Sequence, residues 1–248
     1  TLPAAKSQKP GFFGAVASLI DKPHRFMEHS FSDRLLLHPL FQGFSRLDFL
    51  DIVGATPFDF RSFSPKATLV HQGEPCVRLY LLLRGTVEIV RESPNRLYSI
   101  TEELTAPCTI GAARLYGLHN LHTHTVKAME EVQCVLLDKP AINQLQSQHP
   151  AFRMNFLNAI STDLQHFETK LWNTRQEDTE SRFAEFLRNR CIRPVGRKKL
   201  HIKMEDLATE LGVTRLKVSK MLANMEEKQW LTYTRGNITV KALELLGY

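Results

Sequence analysis

The sequence has no cysteine pair at CxxC spacing and no apolar run near the ~20 residues that a membrane-spanning helix needs. It also lacks a GxSxG elbow, a phosphate-cradling P-loop and an HExxH pair, so no hydrolase, nucleotidase or zinc-protease chemistry announces itself. The four cysteines, Cys76, Cys108, Cys134 and Cys191, stand apart along 248 residues. They read as buried small hydrophobes in a reducing cytoplasm, not as a disulfide framework, with redox sensing by one of them the lesser alternative. No internal repeat or low-complexity tract is present. The segment Gly11–Ile20 follows two lysines, but without a small-residue cleavage site it reads as an amphipathic helix or extension.

What is present is ordinary in bulk and uneven in detail. Hydrophobic residues are 43% and charged residues 23%, a globular composition with room for two cores. Residues 1–174 hold 17 Lys and Arg against 16 Asp and Glu, whereas residues 175–248 hold 15 against 10. A basic small unit beside a near-neutral larger one points to a polyanion-binding module joined to a unit with another task.

The pattern along the chain divides it into a 1–37 extension of unknown role, a 38–147 β-domain, a 148–174 helix and a 175–248 C-terminal domain. In His38–Val53, Leu47, Leu50 and Val53 fall at helical spacing after Ser45, a suitable cap. From Phe58 the period becomes two. FDFRSF (58–63), RLYLLLR (78–84), VEIVR (87–91), YSITEEL (98–104), THTVKAM (123–129) and VQCVLLD (132–138) read as short strands of an antiparallel roll or barrel. After Pro140 the texture turns helical: Leu157, Ile160, Leu164, Phe167 and Leu171 recur at steps of three, four, three and four. Such a seam either packs on the roll or meets a second helix, and its length favours a homodimer. Asp178 or Thr179 caps a helix over 180–190, RPVGRKK (193–199) reads as a loop and LHIKM (200–204) as a strand.

Residues 204–223, MEDLATELGVTRLKVSKMLA, have the layout of a helix-turn-helix. Ala208 supplies the close helix contact and Gly212 the turn, while Leu207, Leu211, Val213, Val218, Met221 and Leu222 point inward. Thr214 caps the second helix, whose outward face offers Arg215, Lys217, Ser219 and Lys220 to base edges and phosphates of double-stranded DNA. WLTYTRGNITV (230–240) then reads as a hairpin wing with Arg235 at its tip.

This order of parts resembles the Crp/Fnr family, the relatives of the catabolite activator protein, over about residues 38–240. HQGEPCVRLYLLLRGTVEIV (71–90) is similar to the family's H-x-G-[DE]-x…LYxLxxGxVxV, and TIGAARLYG (109–117) to its phosphate cassette. The resemblance implies an α+β fold: an antiparallel, cyclic-nucleotide-binding-like β-roll (jelly roll), a long dimerisation helix and a winged helix-turn-helix. It also implies a bacterial, cytoplasmic, non-enzymatic regulator with RNA polymerase as a partner. The effector pocket falls on Gly111, Ala112, Arg114, His122, Thr123 and Phe167. Here the chain departs from the family. Ala112 stands where cyclic-AMP binders place the ribose-holding Glu, His122 where they place Arg, and Phe167-Glu168 where they place Thr-Ser. Cyclic AMP is therefore not the expected effector, and an unidentified small molecule, or none, takes its place. No cysteine precedes Cys76, which speaks against the iron–sulfur cluster of the family's oxygen sensor. In the recognition helix Leu216 replaces a common Glu, so a thymine methyl is a better target there than cytosine.

His119, His122 and His124 cluster in LHNLHTHT, and with Glu130 they mimic the start of a cupin metal site. A metal-dependent β-roll enzyme using His122 and His124 is thus the alternative reading, although no second cupin motif follows. A third reading gives the basic end a protein partner. DNA binding separates the first reading from both others.

Overall fold

A computed structural model of the chain describes residues 31–172 and 178–246. Two short helical pieces lead in: α1 (Phe31–Leu36) and a 3-10 turn at Pro39–Phe41. Helix α2 (Arg46–Ala55) follows, started by a capping box in which Ser45 and Asp48 satisfy each other's backbone N–H groups. Its buried side is Phe49 and Ile52, whereas Leu47 and Leu50 are exposed, so the inward face lies beside the one that the spacing of Leu47, Leu50 and Val53 suggests.

The roll is built from β1 (Asp59–Phe63), β2 (Thr68–Val70), β3 (Arg78–Arg84), β4 (Thr86–Glu92), β5 (Tyr98–Thr105), β6 (Cys108–Ile110), β7 (Thr125–Ala128) and β8 (Val132–Asp138). Every pairing is antiparallel. One sheet runs β1-β8-β3-β6, and the other carries β5-β4-β7-β2. Between them Val87, Ile89, Val126, Ala128, Leu82 and Cys134 form the roll's own core. Gly85 joins β3 to β4 at φ +97°, where a Cβ would stand 2.7 Å from the Glu131 carbonyl oxygen, so only glycine fits. All four cysteines are buried, and none is in a disulfide.

The chain leaves the roll through α4 (Lys139–Gln148), after α3 (Ala112–Leu115) has closed the cassette. Pro140 stands in the first turn of α4 and Asp138 caps it, so the proline that reads as a boundary opens a helix. The long helix α5 spans Pro150–Trp172. The C-terminal unit comprises α6 (Thr179–Arg190), β9 (Lys198–Ile202), α7 (Met204–Leu211), α8 (Arg215–Glu227), β10 (Leu231–Thr234) and β11 (Asn237–Val240). Lys198 and Lys199, which read as loop, belong to β9.

The two units share one sheet. β9 pairs antiparallel with β5, from Tyr98 opposite Ile202 to Glu102 opposite Lys198, so the wing strands and the roll form seven continuous strands, β10-β11-β9-β5-β4-β7-β2. Pairing covers what would otherwise be an open edge of the roll. Ile100 packs into the C-terminal core with Phe183, Leu187, Leu200 and Ile202. At the end of the seam Lys198 Nζ donates to Glu102 Oε2 at 2.7 Å, with both side chains at most 7% exposed. The same carboxylate accepts the N–H groups of Ile192 and Arg193.

A buried pair that loses one charge strands the other. Glu102→Gln is expected to lower unfolding stability by about 3–5 kcal/mol, whereas Glu103→Gln, on the exposed face next door, should change it by less than about 0.5 kcal/mol. Urea titration of both variants checks this, and equal midpoints would contradict it.

Candidate nucleic-acid interface and effector site

The C-terminal unit presents two helices across a tight turn. Gly212 ends α7 in the left-handed region at φ +65°, and the Thr214 hydroxyl accepts from the Lys217 N–H at 3.4 Å to start α8. Leu207, Ala208, Leu211, Val218, Met221 and Leu222 are buried, as helix-turn-helix spacing requires, and Val213 packs on that core. Thr214, Arg215, Leu216, Lys217 and Lys220 are exposed; Ser219 is half-buried at the margin of that face. Arg215 Nε reaches Glu205 Oε1 at 3.3 Å, both side chains at least 65% exposed, a contact worth little in water and readily exchanged for a stronger acceptor. The wing follows: β10 and β11 pair antiparallel, Gly236 turns between them at φ +79°, and Arg235 is exposed at the tip.

In the roll, the cassette loop closes on the His122 strand. Gly73 N–H donates to the His122 carbonyl at 2.8 Å and His122 N–H to the Glu74 carbonyl at 2.9 Å, tying the HQGE motif to this edge. Gly111 caps α3 at φ +96°, where a Cβ would lie 2.9 Å from Cys76 Sγ and 3.6 Å from His122 Cε1. Ala112 is buried, Arg114 exposed, His122 buried and Thr123 half-buried. Gly111 and His122 are thus brought together, with Arg114 within electrostatic reach of His124. The Phe167 side chain lies outside the described residues. Burial is the main force that holds the His124 imidazole down at about 4, helped by the positive charges of Arg91, His122 and Arg114. Burial likewise lowers His122, against a weaker pull from Glu74. Among the described residues no group of three or more His, Cys, Asp or Glu is placed to hold a metal ion. The cations around His122 and His124 would also oppose a dication, which removes the footing of the metal-enzyme alternative.

The sequence profile of the cyclic nucleotide-binding domain matches residues 60–149, and that of the Crp-like helix-turn-helix domain matches residues 181–247. The chain belongs to the Crp/Fnr family of transcription regulators. Among its relatives is the "Global nitrogen regulator" of Synechocystis sp., 25% identical over 193 residues, covering 72% of this chain and 83% of the relative. Another is the "cAMP-activated global transcriptional regulator CRP" of Pasteurella multocida, 22% identical over 183 residues, 72% of this chain and 88% of that one. The crystal structure of Thermus thermophilus catabolite activator protein shares the fold at a TM-score of 0.50 and 21% identity, covering 84% of this chain and 96% of that chain.

Within that family layout, α5 carries the seam. Phe152 and Phe156 are buried against the N-terminal core, but Leu157 and Leu164 are 49% and 57% exposed and Ile160 is half-buried. The side chains of Leu171 and Phe167, and residues 173–177 of the polar joint, lie outside the described residues. Among the described residues no helix is long and apolar enough to cross a membrane.

Two features escaped sequence reasoning. Arg91 is the last residue but one of β4 and reads only as part of the strand VEIVR (87–91), yet its Nη1 donates to the Arg190 carbonyl at 3.1 Å. Arg190 in turn donates from Nε to the Tyr98 hydroxyl at 2.7 Å, pairs with Glu210 at 2.8 Å and stacks over Phe186. The only sequence signal is strand alternation: Arg91 has the parity of the inward-facing Val87 and Ile89.

His38 is fully buried, with Nε2 on the Cys108 carbonyl at 3.1 Å and Nδ1 accepting from the Leu40 N–H, and burial lowers it to about 4. Both His38 and His124 are therefore neutral when folded at pH 5, while in the unfolded chain they protonate below about 6.5. The unfolded state takes up more protons as pH falls from 6.5 towards 4. Stability is thus expected to drop on acidification, by up to about 1.4 kcal/mol per pH unit for each ring. His38→Gln, which keeps a donor for the Cys108 carbonyl, should flatten the slope measured by denaturation across that range.

Proposed function

We propose that this regulator works in the cytoplasm as a non-enzymatic homodimer that reads duplex DNA through α8, and that its roll senses a small molecule other than cyclic AMP. The observation that carries the reading is the bare cationic side of α8. Arg215, Lys217 and Lys220 are exposed on one capped helix, Ser219 stands at its margin, Thr214 opens it and Arg235 is exposed on the adjoining wing. Arg near the start of such a helix suits bidentate bonding to guanine O6 and N7, and lysines on the same side suit phosphates. Leu216, 65% exposed, cannot accept a hydrogen bond but can lie against a thymine methyl.

Dimerisation follows from α5. Every described residue from Ser161 to His166 is exposed, and Leu157 and Leu164 repeat at heptad spacing on a stretch of helix that no element among the described residues covers. A twin helix would bury them and set two α8 helices for major grooves about 34 Å apart. RNA polymerase is the further partner that family membership suggests.

Rejection of cyclic AMP rests on Ala112, which offers no acceptor for a ribose hydroxyl, and on His122, whose lowered pKa leaves no permanent charge for a phosphate. Gly111, Ala112, Arg114, His122, Thr123 and Phe167 remain the proposed effector pocket.

Gel shifts of the full chain on genomic fragments test the DNA-binding half. Arg215→Ala is expected to cost about 1–3 kcal/mol of specific binding, and Lys220→Ala to weaken binding with a shallower salt dependence. Leu164→Glu should convert a dimer into a monomer by light scattering and abolish tight operator binding. A wild-type monomer indifferent to DNA at low salt would end the reading. Calorimetry with cyclic AMP should show no saturable heat, and a low-micromolar Kd would overturn that part.

A further inference from the structure

We propose that the mouth of the roll, where β4 meets the strand approaching β7, binds a small anion through a carboxylate or phosphate group. The grip is the Nε–Nη2 edge of Arg91 beside His124 and Thr123, and the same guanidinium reports occupancy to the DNA-binding unit. The reporting half rests on the regulator reading above; the binding half does not.

Register places the parts. Val87 pairs with Ala128, Ile89 with Val126 and Val90 with Thr125, so Arg91 and His124 are the next cross-strand neighbours. Alternation puts both on the inward face shared by Val87, Ile89, Val126 and Ala128, all of them buried. Thr123 Oγ1 lies 3.2 Å from His124 Nδ1 and 3.5 Å from Arg91 Nη2, the latter at the limit of a hydrogen bond. Gly111 approaches from the cassette side through His122.

The electrostatic account of this corner is one-sided. Arg91, Arg114 and His122 all act on His124 with positive sign. Among the described residues no carboxylate pairs with Arg91 or Arg114, and Glu74, which pulls weakly on His122, has Oε2 taken by the His71 N–H. Arg91 Nε is buried and has no hydrogen-bond partner. A buried guanidinium N–H without an acceptor is costly, on the order of 1–3 kcal/mol or more. Arg91 Nη1 is spent on the Arg190 carbonyl. What is left is the side edge, Nε with Nη2, whose two parallel N–H bonds match one carboxylate or two phosphate oxygens. An anion there supplies the missing acceptor, and the positive charge of Arg114, which also acts on His124, strengthens it. A whole nucleotide is not required, consistent with Ala112 in place of a ribose acceptor.

Coupling follows from one side chain serving two sites. The Arg190 carbonyl ends α6, the first helix of the DNA-binding unit, and Arg190 itself clamps Tyr98 of β5 and Glu210 of α7. An anion that draws the Arg91 fork inward must strain or release the bond to Arg190, so the ligand has different contacts in the two arrangements, as any population shift requires.

The test uses the full chain at pH 7 and constant ionic strength, with sodium phosphate and sodium succinate as probes against sodium chloride. Thermal unfolding should show a saturable rise with phosphate, succinate or both, the two arms telling phosphate from carboxylate recognition. Arg91→Gln should weaken the response at least tenfold. Arg91→Lys, which keeps the charge but not the fork, should do nearly the same, and Lys127→Gln on the outer face of β7 should leave it intact. Far-UV circular dichroism establishes that each variant is folded, and the lysine variant carries the test if the glutamine variant is not. No saturable response beyond chloride, or an unchanged one in a folded Arg91 variant, overturns the site. If the wild type binds DNA without any anion response, the site fails while the regulator reading stands. If the anion binds through Arg91 and leaves DNA affinity unchanged within twofold, the coupling is wrong.

Discussion

The pairing of β5 with β9, closed at one end by the Lys198–Glu102 contact, holds the two halves of this molecule in one piece. Glu102 gathers an ammonium and two backbone N–H groups, those of Ile192 and Arg193, so the turn leaving α6 and the strand entering the wing sheet meet on a single carboxylate. Such a contact is directional. Where an apolar patch alone tolerates sliding by a residue, a buried charge with assigned partners penalises every other register, because each leaves an ion unpaired. Lys198 thereby specifies the seam as much as it strengthens it.

From that constraint the placement of the interface follows. With β9 held on the roll, α7 and α8 pack into the same small core, and the first half of α8 leaves Arg215, Lys217 and Lys220 to solvent. The core is shared: Ile100 of the roll sits among Phe183, Leu187 and Leu200, and Tyr98 packs on Phe186 with ring centroids 5.4 Å apart. A change in the roll near β4 and β5 therefore reaches the DNA-binding unit through packed side chains and one hydrogen-bonded arginine, without a long path.

The proposed effector corner illustrates how a family scaffold can keep its loop and change its chemistry. Gly111 and the short α3 are retained, and backbone bonds from Gly73 and His122 hold the same edge together. The permanent cation is not at His122, where the family's pattern would have it. In the proposed site it enters from the neighbouring strand as Arg91, whose Nη1 is held by the Arg190 carbonyl. Ligand preference is then free to differ while the fold stays recognisable, since fold rests on the buried alternation and preference on a few inward polar side chains.

Much of this was legible in order. The helix-turn-helix rests on local signals, with Gly212 at a left-handed turn, Thr214 as cap and apolar residues at helical spacing, and the structure has each of them in place. The long strands β3, β4, β5 and β8 were visible because seven or eight strand-forming residues between turns outweigh noise, whereas β2 and β6 span three residues each and carry no pattern. Helix α4 was hidden by Pro140, which breaks a helix in its middle but suits its first turn. By itself, then, the sequence determined the longer elements, the family and the cationic side of the second helix of the helix-turn-helix, since these depend on neighbours within a turn or two. Tertiary structure alone decided that Lys198 is buried, that Arg91 faces inward beside His124 and that the wing extends the roll. Those outcomes depend on partners about 30 to 100 residues away, and charge in a lysine or arginine says nothing of depth until its acceptor is known.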